Sequence, residues 1–129
     1  IMIIDEALQA DKPQPGITMD FKTRDPMVLR ALLMMQQNIE QPFTVAEIAS
    51  RIGHSKRQLE RHFQAALGTS PQSAFLDMRL SLAHHLIVTG ERPISQIALE
   101  CGFCDSSHLS RMFRRRYGQT PQGLRQARS

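Results

Sequence analysis

Tryptophan is absent, and Phe, Tyr and Trp together make up only 5% of the 129 residues. β-Sandwiches and barrels lean on aromatic and β-branched residues, so this shortage points to helices. The two cysteines cannot build a disulfide scaffold, which makes a reducing compartment the default. No apolar run approaches the roughly 18 residues of a membrane-spanning helix, and Ile1–Ala10 is too short and acidic for a secretory signal. Neither a nucleophile–base–acid grouping nor a glycine-rich phosphate loop occurs, so catalysis has no candidate residues and no cofactor is expected. Beyond Asp105 there is no acidic residue at all, against six arginines.

What is present describes one globular domain, 41% hydrophobic and 22% charged, long enough to bury a core. The net charge of +4 is unevenly spread. Residues 1–50 hold four basic and seven acidic side chains, whereas residues 51–129 hold twelve basic and five acidic. Such a field attracts a polyanion, either nucleic acid or an anionic membrane surface. Arg outnumbers Lys thirteen to three, which favours phosphate and base-edge recognition over simple solvation.

Residues 1–24, with Pro13, Pro15 and Gly16, show no sustained period and read as a linker or arm. Asp25-Pro26 opens a helix with an apolar face of Val28, Leu29, Leu32, Leu33, Met35 and Ile39, ended by Pro42. Thr44 to Glu47 and Ser55 to Gln58 are capping boxes for two helices stopped by Gly53 and Gly68. Ser70-Pro71 starts the longest helix, to about Val88, with apolar stripes on two sides (Phe75, Met78, Leu82, Leu86 and Leu76, Leu80, Ala83, Ile87). A helix apolar on two sides packs between two bodies. Short helices follow at Ser95–Cys101 and from Thr120-Pro121, with a longer one over Ser106–Tyr117.

The pattern repeats internally. Ile48, Ala49 and Gly53 match Ile97, Ala98 and Gly102 at a spacing of 49, and Leu59, Arg61, Phe63, Gly68, Pro71 and Gln72 match Leu109, Arg111, Phe113, Gly118, Pro121 and Gln122 at 50. The expected architecture is therefore all-α, with two helix-turn-helix subdomains flanking a long connector helix. Opposite their apolar faces, the longer helices present Lys56, Arg57, Glu60, Arg61 and Gln64 in one copy, and Ser107, His108, Arg111, Arg114 and Arg115 in the other. A helix fits the major groove, where such polar tips meet base-edge donors and acceptors. The rival readings are a basic helical bundle lying on anionic lipid, and a protein-interaction bundle without DNA contact. The arginine faces lack exposed Trp, Phe or Leu, which weighs against lipid.

The run from Ile97 to Phe103 (IALECGF), then Asp105 to Phe113 (DSSHLSRMF), Tyr117-Gly118, Thr120-Pro121 and Arg125, resembles the signature of AraC/XylS-type transcriptional regulators. The resemblance spans about residues 28–127 and includes Arg79, Leu80 and Ala83 of the connector. Cys104, Leu109 and Leu124 depart from the usual residues and read as packing variants.

The resemblance implies a seven-helix DNA-binding domain over residues 25–129, with helix-turn-helix motifs at about 44–67 and 94–117. It places two recognition helices in successive major-groove segments of double-stranded DNA. By position, Lys56, Arg57, Glu60 and Arg61 in the first copy, and Ser106, Ser107, His108 and Arg111 in the second, are the base-reading candidates. Arg114, Arg115, Arg116, Thr120 and Arg125 lie nearer helix ends and are expected to meet phosphates.

The resemblance further implies a cytoplasmic, nucleoid-associated regulator, more an activator than a repressor, with RNA polymerase as a partner. The segments Asn38–Pro42 (NIEQP) and Arg57–Arg61 (RQLER) resemble a subgroup with an N-terminal amidotransferase-like sensor domain. With Ile at position 1, the chain is expected to be a piece of a longer protein whose sensor precedes it, leaving no effector pocket in these residues.

Other features are discounted. Cys101 and Cys104 have CxxC spacing without a second pair, and structural zinc wants four ligands, so no metal is expected. His84 and His85 are adjacent and point about 100° apart on a helix. His54 and His62 read as turn and surface residues, and the seven methionines as core filler.

Overall fold

The structure is a computed structural model that describes residues 23–128, apart from the side chain of Arg128. The expected linker at 1–24 therefore lies almost wholly outside the described residues. Among these there are seven helices and no strand: α1 (Pro26–Gln37), α2 (Val45–Arg51), α3 (Lys56–Leu67), α4 (Pro71–Thr89), α5 (Ile94–Glu100), α6 (Ser106–Tyr117) and α7 (Pro121–Arg128).

Local chemistry sets the helix ends. Asp25 caps α1 by accepting from the Met27 and Val28 amides, with Pro26 in the first turn, where no amide is needed. Both capping boxes form reciprocally: Thr44 with Glu47, and Ser55 with Gln58. One boundary differs from the sequence reading. α1 stops at Asn38, well before Pro42, because the Asn38 amide group turns back to the Met34 carbonyl at 2.8 Å. Residues 39–43 then form a loop, with Ile39 still buried.

α4 is the shared wall. It packs on α1 and α3 on one side and on α5, α6 and α7 on the other. Phe75, Met78, Leu80, Leu82, Ala83 and Ile87 are all buried along it, on more than one side of the helix, as expected for a connector between two bodies. Each body adds its own plug: Ile48, Leu59 and Phe63 in the first unit, and Ile97, Leu109 and Phe113 in the second, all fully buried. Within α1, Ala31 is buried and Leu33 only partly so, a one-residue error in the expected face.

The two units also touch away from α4. Gly102, in the turn of the second unit, has φ +83° and lies against the Ile39 carbonyl and Pro42 ring of the first. Its pseudo-equivalent, Gly53, also has φ +83° but faces open space. Both turns need a residue free to enter the left-handed region; only Gly102 must also be small.

Candidate nucleic-acid interface

The turn geometry aims the longer helix of each unit. After α2, the His54 amide donates to the Ala49 carbonyl at 2.8 Å; after α5, the Phe103 amide donates to Ala98 at 2.9 Å. With each turn closed this way and the apolar plug turned inward, the polar faces of α3 and α6 are left to solvent. Lys56, Arg57, Glu60, Arg61 and Gln64 are exposed on α3, and Ser107, Arg111, Arg114 and Arg115 on α6. Ser106 and His108 are half-buried at the start of α6.

The cations are not neutralised internally. Among the described residues, the ion pairs are His62–Asp25, Arg92–Glu100 and Arg116–Asp77, and none uses Lys56, Arg57, Arg61, Arg111, Arg114 or Arg115. An exposed basic stripe without carboxylate partners is available to an external polyanion. A structural bundle facing only water would gain as much from mixed-sign pairs along these faces. Glu60 is the acid of the first stripe, suited to accept from a cytosine amino group.

Several expected phosphate contacts are placed differently. Arg125 does not face outward. Its guanidinium donates to the carbonyls of Leu86 (3.5 Å) and Gly90 (3.4 Å) and, through Nη1, to Arg92, while Nε donates to Ile87 (3.3 Å). These carbonyls lie at and just beyond the C-terminus of α4, where a helix has acceptors to spare. In this structure Arg125 closes the connector helix from α7. Thr120 is engaged as the cap of α7, its Oγ1 accepting from the Gly123 amide at 3.0 Å. Arg116 lies 3.5 Å from Asp77 and over the Tyr117 ring, while Arg114 and Arg115 remain exposed.

Three side chains matter more than their sequence context suggested. His62, read as a surface residue, binds the cap of α1, with Nδ1 2.7 Å from Asp25 Oδ2. His84 packs on α6, its ring 4.9 Å from that of Tyr117 and 6.0 Å from that of Phe113. Arg79 lays its guanidinium over Phe103 at 4.7 Å and Phe75 at 5.5 Å, with a buried Nε that has no hydrogen-bond partner. Only Arg79 had a signal in the sequence, through its place in the family-like pattern.

Cys101 is buried, and burial followed by the nearby Glu100 charge pushes its thiol up to about 12, against the opposing effect of Arg79 and Arg92. Cys104 is exposed. Among the described residues no three His, Cys, Asp or Glu side chains gather to hold a metal ion, and no helix is long and apolar enough to cross a membrane.

Two helix-turn-helix units in tandem, each with an unpaired basic face, define a double helix-turn-helix domain of the nucleic-acid-binding class. A family model described as a helix-turn-helix domain matches residues 29–127, and the chain belongs to this family, that of the AraC-type DNA-binding domains. The transcriptional regulator ArgR of Pseudomonas aeruginosa is 39% identical over 103 residues, which cover 80% of this chain and 31% of ArgR. The chain spans about a third of the length of the curated relatives it matches.

Among solved structures, an AraC-type transcriptional regulator from Chromobacterium violaceum superimposes with a TM-score of 0.75 at 38% identity, covering 81% of this chain and 93% of that one. The DNA-binding domain of the transcriptional factor AdpA, solved in complex with a target DNA, gives 0.73 at 27% identity, covering 80% and 92%. The seven-helix fold expected from the sequence is the observed one.

Proposed function

We propose that this domain binds duplex DNA sequence-specifically, one chain reading two unlike half-sites, and thereby regulates transcription without enzymatic activity of its own. The observation that carries this reading is the pair of exposed basic faces, on α3 and α6, held on one wall by α4 and left without internal counter-ions. Lys56, Arg57, Glu60 and Arg61 read one half-site; Ser106, Ser107, His108 and Arg111 read the other. Arg114 and Arg115, with Arg116 and Thr120 as lesser contributors, hold phosphates. The family resemblance supports action in the cytoplasm, on the bacterial nucleoid, as an activator that works with RNA polymerase and answers to an effector held by a separate sensor domain.

A two-fold dimer with one reading helix per subunit selects a palindrome. A tandem pair with different chemistry on each helix selects an asymmetric element whose halves lie about 10 base pairs apart, so that both grooves face the protein. Selection from a random DNA library is expected to return such an element. Inserting five base pairs between its halves is expected to turn one half to the far side and abolish tight binding. Unchanged affinity would show that only one unit engages DNA, and binding to anionic vesicles in place of DNA would support the lipid-surface alternative.

A further inference from the structure

The second reading helix differs from the first in having an aromatic support under one of its base-reading candidates. The imidazole of His108 meets the edge of Phe103 at 5.3 Å between ring centroids, with the planes at 78°. Phe103 is itself 3% exposed and lies under the Arg79 guanidinium. On its other side His108 is held through Nδ1, which faces the Cys104 amide at 3.4 Å. A backbone amide has only a hydrogen to offer, so Nδ1 is the acceptor and the ring hydrogen of the imidazole belongs on Nε2. The His108 main chain is fixed too, its amide donating to Asp105 Oδ1 at 2.8 Å. Backbone, ring plane and tautomer are thus all determined before any DNA arrives. In the first unit the residue at the equivalent place, Gln58, spends its side chain on the capping box with Ser55.

We propose that Cys104 and Phe103 hold His108 as a preset hydrogen-bond donor, Nε2–H, through which the second reading helix selects a guanine edge. The proposal rests on the double-reading function above. Guanine is the base whose major-groove edge offers two acceptors, N7 and O6, and no competing donor; adenine sets an amino group beside its N7, and cytosine offers only a donor. Phe103 is a positioning residue, acting on DNA only through the imidazole. The fixed tautomer separates two substitutions that composition alone would treat alike. Gln carries its amide nitrogen at the place of Nε2, whereas Asn carries it at the place of Nδ1.

The test is library selection followed by binding titrations with this chain and its variants His108→Gln, His108→Asn and His108→Phe. Wild type is expected to prefer guanine at one position of the second half-site. Replacing that guanine by 7-deazaguanine is expected to weaken wild type about 5-fold, the worth of one net hydrogen bond, and to leave His108→Phe unaffected. His108→Gln is expected to keep the preference and His108→Asn to lose it. Phe103→Leu is expected to relax the same position, and the double variant Phe103→Leu/His108→Phe to relax it no further than His108→Phe alone.

A selected element with two halves whose base preferences are the same for wild type and His108→Phe would overturn this inference and leave the double-reading function standing. So would a preference that Asn retains and Gln does not. Absence of any selected element, with Arg61→Ala and Arg111→Ala equally without effect, would instead overturn the function on which it rests.

Discussion

Nδ1 of His62 stands 2.7 Å from Oδ2 of Asp25, so the helix carrying the first basic face is joined to the N-terminal cap of α1. One carboxylate serves both: Oδ1 accepts from the amides of Met27 and Val28, and Oδ2 faces the imidazole. Burial raises the Asp25 carboxyl, but the hydrogen bond from His62 and those from the Val28 and Met27 amides outweigh it, so the net displacement is downward.

Asp25→Ala removes the cap and the His62 partner together and is expected to cost about 1–2 kcal/mol at neutral pH. Asp25→Asn retains capping ability and is expected to cost no more than about 1 kcal/mol, because the lost pair is partly exposed. A carboxyl held below its unfolded range stabilises the fold above about pH 4 and loses that contribution as pH falls through the folded value. Urea unfolding of wild type and Asp25→Asn is therefore expected to show a gap at pH 7 that closes on acidification.

The two turn glycines are expected to respond unequally to alanine. Gly53→Ala meets no atom within 4 Å and suffers only the left-handed backbone, a cost of about 1 kcal/mol. At Gly102 the same added carbon runs into the Ile39 carbonyl and lies 2.8 Å from Pro42 Cγ. Thermal unfolding is expected to show Gly102→Ala as the more damaging by about 1–3 kcal/mol, the range of overpacking. Equal melting temperatures would contradict the described contact between units.

Arg61→Ala and Arg111→Ala each remove a long donor from one exposed stripe. Either is expected to cost about 1–3 kcal/mol on the selected element and little on random DNA. Electrophoretic titration on both DNAs checks this; equal weakening on every sequence would assign the residue to phosphate.

Arginines that look alike in sequence are expected to part in behaviour. Arg114→Ala and Arg115→Ala are expected each to reduce the salt slope of binding by about 0.9 while leaving stability near wild type. Arg125→Ala removes the guanidinium from the Leu86, Ile87, Gly90 and Arg92 carbonyls and is expected to destabilise the fold by about 1–3 kcal/mol. Salt titrations paired with unfolding curves distinguish the two outcomes.

Much of the fold was legible because its signals are local. The Asp25, Thr44, Ser55 and Ser70 caps and the turn glycines depend on neighbours along the chain, and together with the 49- and 50-residue repeat they located the seven helix starts among the described residues to within a residue. The two-sided apolar pattern of α4 revealed its position between two bodies. What escaped depends on long-range contact. Asp25 and His62 are 37 residues apart and Arg125 lies 38 from Ile87, and no period or motif links such pairs. The carbonyl contacts of Arg125 left no mark in the sequence, because a basic residue near a helix end reads the same whether it meets a phosphate or a carbonyl. The premature end of α1 was missed because Asn38 competes with the helix through its own side chain, a weaker mark than the proline four residues on.

The close approach of Gly102 to Ile39 and Pro42 gives the molecule a second strut beside α4, and two struts make a caliper with locked jaws. A domain braced in this way is expected to hold its span fixed, so a duplex read by both helices is expected to bend to meet it. The energy of that bend depends on the steps between the half-sites. Flexible pyrimidine–purine steps there are expected to favour binding and stiff A-tracts to oppose it, which would write part of the operator in the mechanics of DNA.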